Sequence, residues 1–595
     1  MPFSFPKPSV EQYFRTFRIG TFTVDASEER VIFSANIDGK VNLWALRIDR
    51  GYPYPLTTIG ENCAGILADP KGRYLLAAFD KDGDENWQVY ALPPEGGQLL
   101  PLLTAAGEKF YPADLSEDGR YLYYTTSEGN PRFLRSFRLD LETQEKELLH
   151  DGAGAPTYLM RVAPDGSAFA TLEVYSNTVQ FLFVHKNGQR IPLRRGDAPH
   201  SATSPVFVDA DTVYFLTDEG EDVHYLARWD ARTGRVEPVA KVDGQDFVEM
   251  KPHREGKALY LTAMHGVVDR LYRYDLSAGT LEEVPLPYAT VDWFHVGKSG
   301  TVYVLGRSAN VPFNISMKRP GEEWRQLTDN RVLGVPPESL RDAEVVRYKS
   351  FDGLEIEALL FRPDPAVANG YTVVWPHGGP QWAERKSYRS LFQIFLAAGY
   401  VVFAPNFRGS TGYGTRFSKM VERDWGHGPR LDMIAGVDWL IEQGIAQRDK
   451  IFLVGGSYGG YMTLLLHGRH PEYWRACVDI FGPSNLFTFY NSVPEHWKPV
   501  MDQWLGNPER DKEKFIEDSP ITYLKNMTKP MLVIQGANDP RVVKAESDQI
   551  VAALREQGTE VEYMVLDDEG HGFSRVENEI KVYRRVLEFL ARHMD

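Results

Sequence analysis

The sequence predicts a seven-bladed β-propeller followed by an α/β domain with a mostly parallel sheet. From about residue 20 to 335 the chain repeats a turn containing Asp or Gly and then a strand rich in aromatic and β-branched residues. Beyond that region, short apolar strands alternate with stretches that can cross over as helices, which is typical of a parallel sheet. At 595 residues the chain is also too long for one ordinary hydrophobic core.

The repeat of the first region has an even period. Equivalent turns are expected at six positions, which follow one another at intervals of 44 to 47 residues: Gly72, Gly119, Gly166, Asp211, Gly256 and Gly300. This interval is the period of a four-stranded propeller blade, and together with the copy that precedes Gly72 it gives seven blades. A pair of ordinary β-sandwiches is the alternative, but sandwiches do not repeat so evenly.

The change of pattern places the domain boundaries. We expect an N-terminal helical segment (1–20), the propeller (21–335) and the α/β domain (336–595). The predicted strands of the last domain are YTVVWPHGG, YVVFAPNF, KIFLVGG, PMLVIQG and VEYMVLDD. The segment SVEQYFRTFRI (9–19) has an amphipathic pattern, and we expect it to form a helix that docks on the α/β domain rather than on the propeller.

Composition and charge exclude several classes of protein. The chain is 43% hydrophobic and 25% charged, as is usual for a soluble globular protein, and its net charge of −16 argues against a nucleic-acid partner. Cys63 and Cys477 lie too far apart in sequence to form a disulfide framework or a metal cluster, so no metal or cofactor is expected. The N-terminus lacks the apolar core of an export signal, and no run of 18 apolar residues follows, so we expect a cytoplasmic protein without a membrane partner.

The stretch FLVGGSYGGYM (452–462) predicts a strand, a tight turn and a helix, with Ser457 at the turn. The order Gly455-Gly456-Ser457-Tyr458-Gly459 fits the pattern G-x-S-x-G, in which glycines allow a strained turn that exposes a nucleophilic serine. A chance match in a Gly-rich chain is the alternative. A serine nucleophile also needs a histidine base and a carboxylate that orients the base, so both should lie at the ends of later strands.

Two later strand ends supply these residues. PMLVIQG is followed by Asp539, and VEYMVLDD is followed by His571. Taken singly, Asp539 could begin a turn before Pro540 and His571 could be a surface residue. Taken together, the order Ser457, Asp539, His571 is that of the α/β-hydrolase fold, and each residue lies at the carboxyl edge of the predicted sheet, where active sites form. We therefore expect a catalytic triad.

Acyl transfer also needs donors for a developing oxyanion, preferably backbone N–H groups. The N–H of Tyr458, next to the serine, is one candidate. The loop His377-Gly378-Gly379-Pro380 follows an early strand, and we expect the second donor to be the N–H of Gly379. The alternative is that this loop is a plain turn.

Five segments of the α/β domain resemble the prolyl oligopeptidase family of serine peptidases: HGGP (377–380), NFRGSTGYGTRF (406–417), GGSYGGYM (455–462), NDPRV (538–542) and GHGF (570–573). HGGP and RGSTGYG resemble the acylaminoacyl-peptidase branch in particular. Over the propeller the resemblance covers only the blade period and the domain order. It implies that Ser457, Asp539 and His571 form the triad and that Gly379 and Tyr458 donate to the oxyanion. It also implies that Arg541 holds the P2 carbonyl of a peptide.

The resemblance further implies an acyl-enzyme mechanism, a propeller that admits only short or unfolded peptides, and a plausible homo-oligomer. Dipeptidyl-peptidase relatives hold a free α-amine with a pair of glutamates, and no segment matches that motif. The acidic loop DEGED (218–222) could imitate it, but we expect a solvated turn there. The stretch IFGPSNLFTFYNS suggests an apolar S1 pocket, although some of its apolar side chains could belong to the core; the candidates are Phe481, Leu486, Phe487 and Phe489.

These observations favour a serine peptidase that releases N-acylated amino acids from short acylated peptides, with side activity on esters and oligopeptides. A dipeptidyl aminopeptidase or a prolyl oligopeptidase-like enzyme is the alternative within the same class. A carboxylesterase acting on small acyl esters is the alternative of another class. A non-catalytic propeller scaffold is the third reading, and it does not explain why serine, aspartate and histidine follow in this order.

Overall fold

The predicted blades are present in the computed structural model, which describes residues 6–253 and 255–594. Seven four-stranded antiparallel sheets follow one another along the chain, and each is built from four consecutive strands. The six turns expected to be equivalent each connect the first and second strands of a blade, in blades two to seven. The prediction of seven blades is therefore confirmed, and the sandwich alternative is wrong.

A short helix precedes the propeller, and the first four blades follow it. The helix is α1 (Val10–Phe14). The strands of blades one and two are β1 (Ile19–Val24), β2 (Arg30–Ala35), β3 (Asn42–Arg47), β4 (Pro53–Pro55), β5 (Cys63–Ala68), β6 (Leu75–Phe79), β7 (Gln88–Leu92) and β8 (Leu100–Leu103). Those of blades three and four are β9 (Phe110–Leu115), β10 (Tyr121–Thr126), β11 (Arg135–Asp140), β12 (Lys146–Asp151), β13 (Thr157–Val162), β14 (Ala168–Ser176), β15 (Val179–Lys186) and β16 (Gln189–Pro192).

Blades five to seven complete the ring. Their strands are β17 (Ala202–Phe207), β18 (Thr212–Thr217), β19 (Tyr225–Asp230), β20 (Arg235–Ala240), β21 (Asp246–His253), β22 (Ala258–His265), β23 (Val268–Asp275), β24 (Thr280–Val284), β25 (Thr290–Val296), β26 (Val302–Ser308), β27 (Val311–Lys318) and β28 (Arg325–Gln326). The second and third strands of each blade carry most of the buried apolar residues, because these strands pack between neighbouring blades.

The C-terminal domain is an eight-stranded sheet with helices on both faces. Its elements are β29 (Glu344–Lys349), β30 (Glu355–Phe361), β31 (Thr372–Val374), α2 (Ser390–Ala397), β32 (Val401–Pro405), α3 (Thr415–Lys419), α4 (Gly428–Glu442), β33 (Ile451–Gly456), α5 (Tyr458–Arg469), β34 (Ala476–Ile480), α6 (Leu486–Ser492), α7 (Lys498–Trp504), α8 (Lys512–Asp518), β35 (Met531–Gly536), α9 (Lys544–Glu556), β36 (Val561–Leu566) and α10 (Val576–Arg592). Three short 3₁₀ turns lie at Pro337–Ser339, Pro471–Tyr473 and Pro520–Asn526.

The strands of this sheet lie in the order β29-β30-β32-β31-β33-β34-β35-β36. The pairs from β32 to β36 are parallel and the two pairs at the β29 edge are antiparallel, as the prediction of a mostly parallel sheet requires. One core lies on the face covered by α2 and α10, and a second lies on the face covered by α4, α5 and α9. No helix in the described part of the chain is both long and apolar enough to cross a membrane.

The N-terminal helix packs on the C-terminal domain. Tyr13 and Phe14 are buried in the same core as α2 and α10, and the ring of Phe14 stacks on that of Tyr583 with centroids 5.1 Å apart. Helix α1 is shorter than the predicted segment 9–19, because Phe17 and Arg18 donate their backbone N–H groups to Asn330 and Asn36 of the propeller. Residues 1–5 of the predicted N-terminal segment lie outside the described residues.

The turn between β33 and α5 brings backbone segments unusually close together. Ser457 has φ +59°, a backbone conformation that residues other than glycine rarely adopt. A Cβ atom at Gly455 would lie 2.3 Å from the carbonyl oxygen of Gly459, and one at Gly459 would lie 2.1 Å from that of Pro376. Only glycine fits at either position, which is the physical basis of the G-x-S-x-G pattern.

A buried carboxyl group lies beneath this turn. Asp479 near the end of β34 is fully buried, and its Oδ1 accepts a hydrogen bond of 2.9 Å from the N–H of Gly482. Its Oδ2 has no hydrogen-bond partner among the described residues. Burial raises the pKa of Asp479 to about 8, so the carboxyl group is mostly protonated at neutral pH. The turn that it closes carries Ile480, whose carbonyl oxygen accepts the N–H of Ser457.

Replacing Phe14 tests the docking of the N-terminal helix. Phe14→Ala removes a side chain that is 2% exposed, and we expect it to lower the free energy of unfolding by about 3 kcal/mol. Tyr52, which is 79% exposed on blade one, provides the control, and Tyr52→Ala should change stability by less than about 0.5 kcal/mol. Denaturant titration followed by tryptophan fluorescence measures both. Equal effects of the two substitutions would show that α1 contributes nothing.

Replacing Asp479 tests the buried acid. The folded-state pKa of about 8 lies above the ordinary aspartate value of about 3.9, so the unfolded chain releases a proton that the folded chain keeps between these pH values. The free energy of unfolding is therefore highest, as far as this group is concerned, below about pH 4. It falls as pH rises toward 8, by up to about 1.4 kcal/mol per pH unit. Asp479→Asn removes this dependence, so its melting temperature should fall less than that of the wild type between pH 5 and 8. Parallel curves for the two proteins would contradict the assignment.

Candidate active site

The three predicted triad residues lie in hydrogen-bond contact. Nε2 of His571 lies 2.8 Å from Oγ of Ser457, and its Nδ1 lies 2.6 Å from Oδ2 of Asp539. The side chains of His571 and Asp539 are almost completely buried. In this arrangement Nδ1–H donates to the carboxylate, so Nε2 can accept the proton of the serine hydroxyl. The geometry is that of a serine nucleophile with an oriented base.

Neighbouring groups hold the two loops that carry the aspartate and the histidine. Oδ1 of Asp539 accepts the N–H groups of Arg541 and Val542 at 2.9 and 3.0 Å, which leaves Oδ2 for His571. Glu569, which is 1% exposed, accepts the N–H groups of Ser574 and Arg575 at 2.8 and 3.0 Å. The loop that contains His571 is therefore closed on itself, and the imidazole keeps its position without help from a substrate.

The structure separates the four candidates for an apolar S1 pocket. Phe481 lies against the site, with its ring centroid 4.6 Å from that of His571. Phe487 is partly buried and packs against Phe515 of α8. Leu486 and Phe489 are 1% and 2% exposed and belong to the core beneath the site. Of the four, only Phe481 makes a ring contact with a triad residue.

The two candidate oxyanion donors belong to two backbone segments near Ser457. Tyr458 begins α5, so its N–H is one of the first-turn donors that the helix itself cannot use. The loop 377–380 passes close to the serine, since a Cβ atom at Gly378 would lie 3.5 Å from the Cβ of Ser457. His377 anchors this loop through a hydrogen bond of 2.8 Å between its Nε2 and Oγ of Ser410, and burial lowers its pKa to about 4. Gly379 follows with φ +124°.

A turn of blade two contacts the site at the loops that carry Asp539 and His571. A Cβ atom at Gly83 would lie 2.5 Å from the backbone nitrogen of Gly570, so the propeller backbone directly touches the loop that carries His571. Arg575 donates to Asp82 at 2.7 Å, and the Nε of Arg541 pairs with Oε1 of Glu85 at 2.8 Å. The backbone N–H of Arg541 donates to Asp539, and its guanidinium group lies against a propeller carboxylate; its role in holding a P2 carbonyl stays a prediction.

The acidic loop 218–222 is not the solvated turn that we expected. Asp218 is 4% exposed, and its two carboxylate oxygens accept hydrogen bonds from Ser201 N–H at 2.7 Å and from the hydroxyl of Thr415 at 2.6 Å. Asp222 accepts the N–H of Arg416 at 2.8 Å. The expectation was wrong because the loop faces the catalytic domain, where the N-terminal end of α3 supplies donors for its carboxylates.

Glu85 and Asp479 are the two groups at the site that the sequence patterns did not identify. Glu85 belongs to DKDGDEN (80–86), which reads as another propeller turn. The acidic composition of this turn does not distinguish it, because the turn 218–224 of blade five is equally acidic. Asp479 interrupts the strand ACVDI, and an aspartate in such a buried strand indicates either a structural or a functional role.

Comparison with known proteins finds a family match for the domain that contains the site. Residues 386–595 match the model of the prolyl oligopeptidase family. Dipeptidyl aminopeptidase BIII of Pseudoxanthomonas mexicana is 29% identical over 94% of this chain and 84% of its own length. The acylamino-acid-releasing enzyme of Homo sapiens is 28% identical, over 44% of this chain and 36% of its own length.

Solved structures share the complete architecture. A puromycin-hydrolyzing peptidase of Mycobacterium tuberculosis superimposes with a TM-score of 0.87 at 20% sequence identity, over 99% of this chain and 97% of that one. At this identity the likeness establishes the two-domain fold alone. The family match adds the chemistry: the domain formed by residues 386–595 belongs to the prolyl oligopeptidase family of serine peptidases.

Proposed function

We propose that this protein releases the N-terminal acylated residue from short peptides through an acyl-enzyme on Ser457. The observation that carries the proposal is the continuous hydrogen-bonded series from Ser457 through His571 to Asp539. This series lies next to a loop with backbone donors and beneath a propeller turn. The arrangement suits the cleavage of an amide bond in a peptide that fits between the two domains.

The roles of the residues follow from their positions. Oγ of Ser457 attacks the scissile carbonyl carbon while Nε2 of His571 takes the hydroxyl proton. Asp539 keeps Nδ1 protonated and stabilises the imidazolium that forms. The N–H groups of Gly379 and Tyr458 donate to the oxyanion. His571 then gives its proton to the leaving nitrogen, and the C–N bond breaks. Water, activated by His571, attacks the ester, and the acyl group leaves as Oγ recovers its proton.

The contacts between the domains support the proposal that the substrates are short peptides. Blade two touches the loop of His571, and the loop 218–222 of blade five bonds to the start of α3. A folded protein cannot reach a serine that is covered in this way, whereas a short peptide can enter the space between the domains. Phe481, beside His571, supports an apolar residue on the acyl side of the scissile bond.

The charges near the expected position of the substrate's N-terminus support the proposal that the substrate is acylated. Glu85 is already paired with Arg541, so a free ammonium group at this position has to compete with a guanidinium group for the same carboxylate. A neutral acyl group has no such competitor, and its carbonyl oxygen can accept a hydrogen bond from Arg541. The Glu85–Arg541 pair therefore favours release of acylated residues over removal of residues with a free α-amine.

A dipeptidyl aminopeptidase is the second candidate. It is favoured by the match to dipeptidyl aminopeptidase BIII, which extends over 94% of this chain. The propeller turn 80–86 also holds the carboxylates that such an activity needs to bind an amine. A carboxylesterase is the third candidate, because the same triad also cleaves esters.

Three anilides distinguish the first two candidates. We expect N-acetyl-leucine p-nitroanilide to be hydrolysed at least about tenfold faster, in kcat/KM, than leucine p-nitroanilide and glycyl-proline p-nitroanilide, because only the acetylated compound lacks a positive charge. Ser457→Ala should lower kcat by about 10⁴-fold or more. Preference for glycyl-proline would reverse the choice between the two peptidases. Activity that survives in Ser457→Ala would remove the triad from the mechanism.

Replacing Arg541 separates a peptidase from an esterase. Arg541→Ala should lower kcat/KM for an acetylated dipeptide amide by about 10- to 100-fold, because the bound peptide loses a charged hydrogen-bond donor. Hydrolysis of p-nitrophenyl acetate, which has no second carbonyl on the acyl side, should fall much less. Arg416, which is exposed and pairs with Asp222, offers the matched control Arg416→Ala. Equal losses on peptide and ester would refute a role of Arg541 in peptide binding.

A further inference from the structure

We propose that a cavity between blades six and seven and the loop after Pro380 receives the apolar or aromatic side chain that follows the scissile bond of the substrate. The proposal rests on the peptidase function argued above and adds the leaving-group side of its specificity. The cavity has a volume of about 230 Å³ and is lined by both domains. This is less than the usual volume of a site for a whole drug-sized ligand, so it suits a single side chain.

Apart from Thr262 and Thr411, the lining of the cavity consists of apolar residues and of charged residues that are paired. Trp382 is 52% exposed and Val248 is 45% exposed, and both face the cavity together with Met264, Trp293 and Phe294. An exposed tryptophan next to further apolar side chains is typical of a surface that binds a ligand or a partner.

The carboxylates in the cavity wall are neutralised by basic partners. Asp269 accepts a hydrogen bond of 2.6 Å from Arg385, and Asp292 accepts one of 2.8 Å from Arg307. Glu249 is paired with Lys251 at 2.8 Å. The wall therefore offers no uncompensated charge to a ligand, and an apolar occupant is the chemistry that fits.

The cavity is connected to the site by a short segment of chain. Gly378 passes beside Ser457, and a Cβ atom at the next residue, Gly379, would lie 2.8 Å from the Cβ of Trp382. The carbonyl oxygen of Trp382 accepts the N–H of Thr411 at 2.9 Å, which fixes the backbone of the loop. Trp382 therefore lies directly beside Gly379, the proposed oxyanion donor.

The position of the cavity assigns it to the leaving group. The loop of Trp382 follows β31, on one side of β33, whereas Arg541 follows β35, on the other side. Around the propeller, Glu85 belongs to blade two, and the cavity is lined by blades six and seven. With the acyl part of the substrate at Arg541, a peptide that crosses Ser457 continues toward Trp382.

The test compares N-acetyl-leucyl-phenylalanine amide with N-acetyl-leucyl-glycine amide. The wild-type enzyme should prefer phenylalanine by about tenfold in kcat/KM, and Trp382→Ala should abolish most of that ratio. Val248→Asp, which introduces a charge from the propeller side, should also reduce it. Tyr52→Ala, an exposed aromatic side chain of blade one, should leave the ratio unchanged. Thermal unfolding of each variant confirms that it is folded.

The outcomes separate this inference from the proposed function. Cleavage of both peptides by the wild type at equal rates overturns the inference while the peptidase function stands. An unchanged ratio in Trp382→Ala and Val248→Asp has the same meaning. A ratio that responds instead to the residue before the scissile bond assigns the cavity to the acyl side and also overturns the inference. If the wild type cleaves p-nitrophenyl acetate but neither peptide, the proposed function fails, and the inference fails with it.

Discussion

The close approach of three backbone segments at Ser457 is the constraint on which the site depends. The strand β33, the start of α5 and the turn after β34 meet at distances that leave no room for a side chain. A Cβ atom at Gly460 would lie 2.4 Å from Oδ1 of Asp479, and one at Gly482 would lie 2.3 Å from the carbonyl carbon of Gly460. Because these glycines admit the turn, Ser457 adopts its positive φ, and its N–H bonds to Ile480. The next residue, Phe481, then lies against His571. One packing arrangement therefore positions both the serine and the histidine.

The propeller completes this arrangement from outside the catalytic domain. Gly83 and Gly570 approach so closely that a Cβ atom on either one would overlap the other residue, which makes the contact a backbone-to-backbone one. Side-chain bonds reinforce it, since Arg575 donates to Asp82 and Asn538 donates to the carbonyl oxygen of Asp82. Separation of the two domains would break these bonds at the loops that carry Asp539 and His571. The propeller consequently supports the geometry of the triad.

Features set by local pattern were the predictable part of the structure. The blade period follows from turn residues at regular intervals, and the sites of Ser457, Asp539 and His571 follow from strand ends, so sequence alone located them. Features set by contacts between distant segments were not predictable. The helix prediction over 9–19 failed at its C-terminal end because Asn36 and Asn330 bind the backbone there. Glu85 and Trp382 acquire their importance only when the propeller is placed over the sheet, and no local pattern encodes that placement.

The charges around Arg541 are the physical basis of the specificity proposed for the substrate's N-terminus. Arg541 pairs with Glu85, and the Nζ of Lys109 donates to the carbonyl oxygen of Glu85 at 2.6 Å. Burial raises the pKa of Asp80 to about 7, so this carboxyl group is largely protonated in slightly acidic solution. Arg541 and Lys109 then face the negative Glu85 and Asp84, and Arg575 pairs with Asp82, so the remaining carboxylates of the turn are compensated. A neutral acyl group fits such a surface without leaving an unpaired charge, whereas an ammonium group has to displace an existing partner. As Asp80 ionises above pH 7, the balance becomes negative and the penalty for an ammonium group falls. The proposed selectivity for acylated substrates therefore involves a carboxyl group that the propeller buries, in addition to the triad.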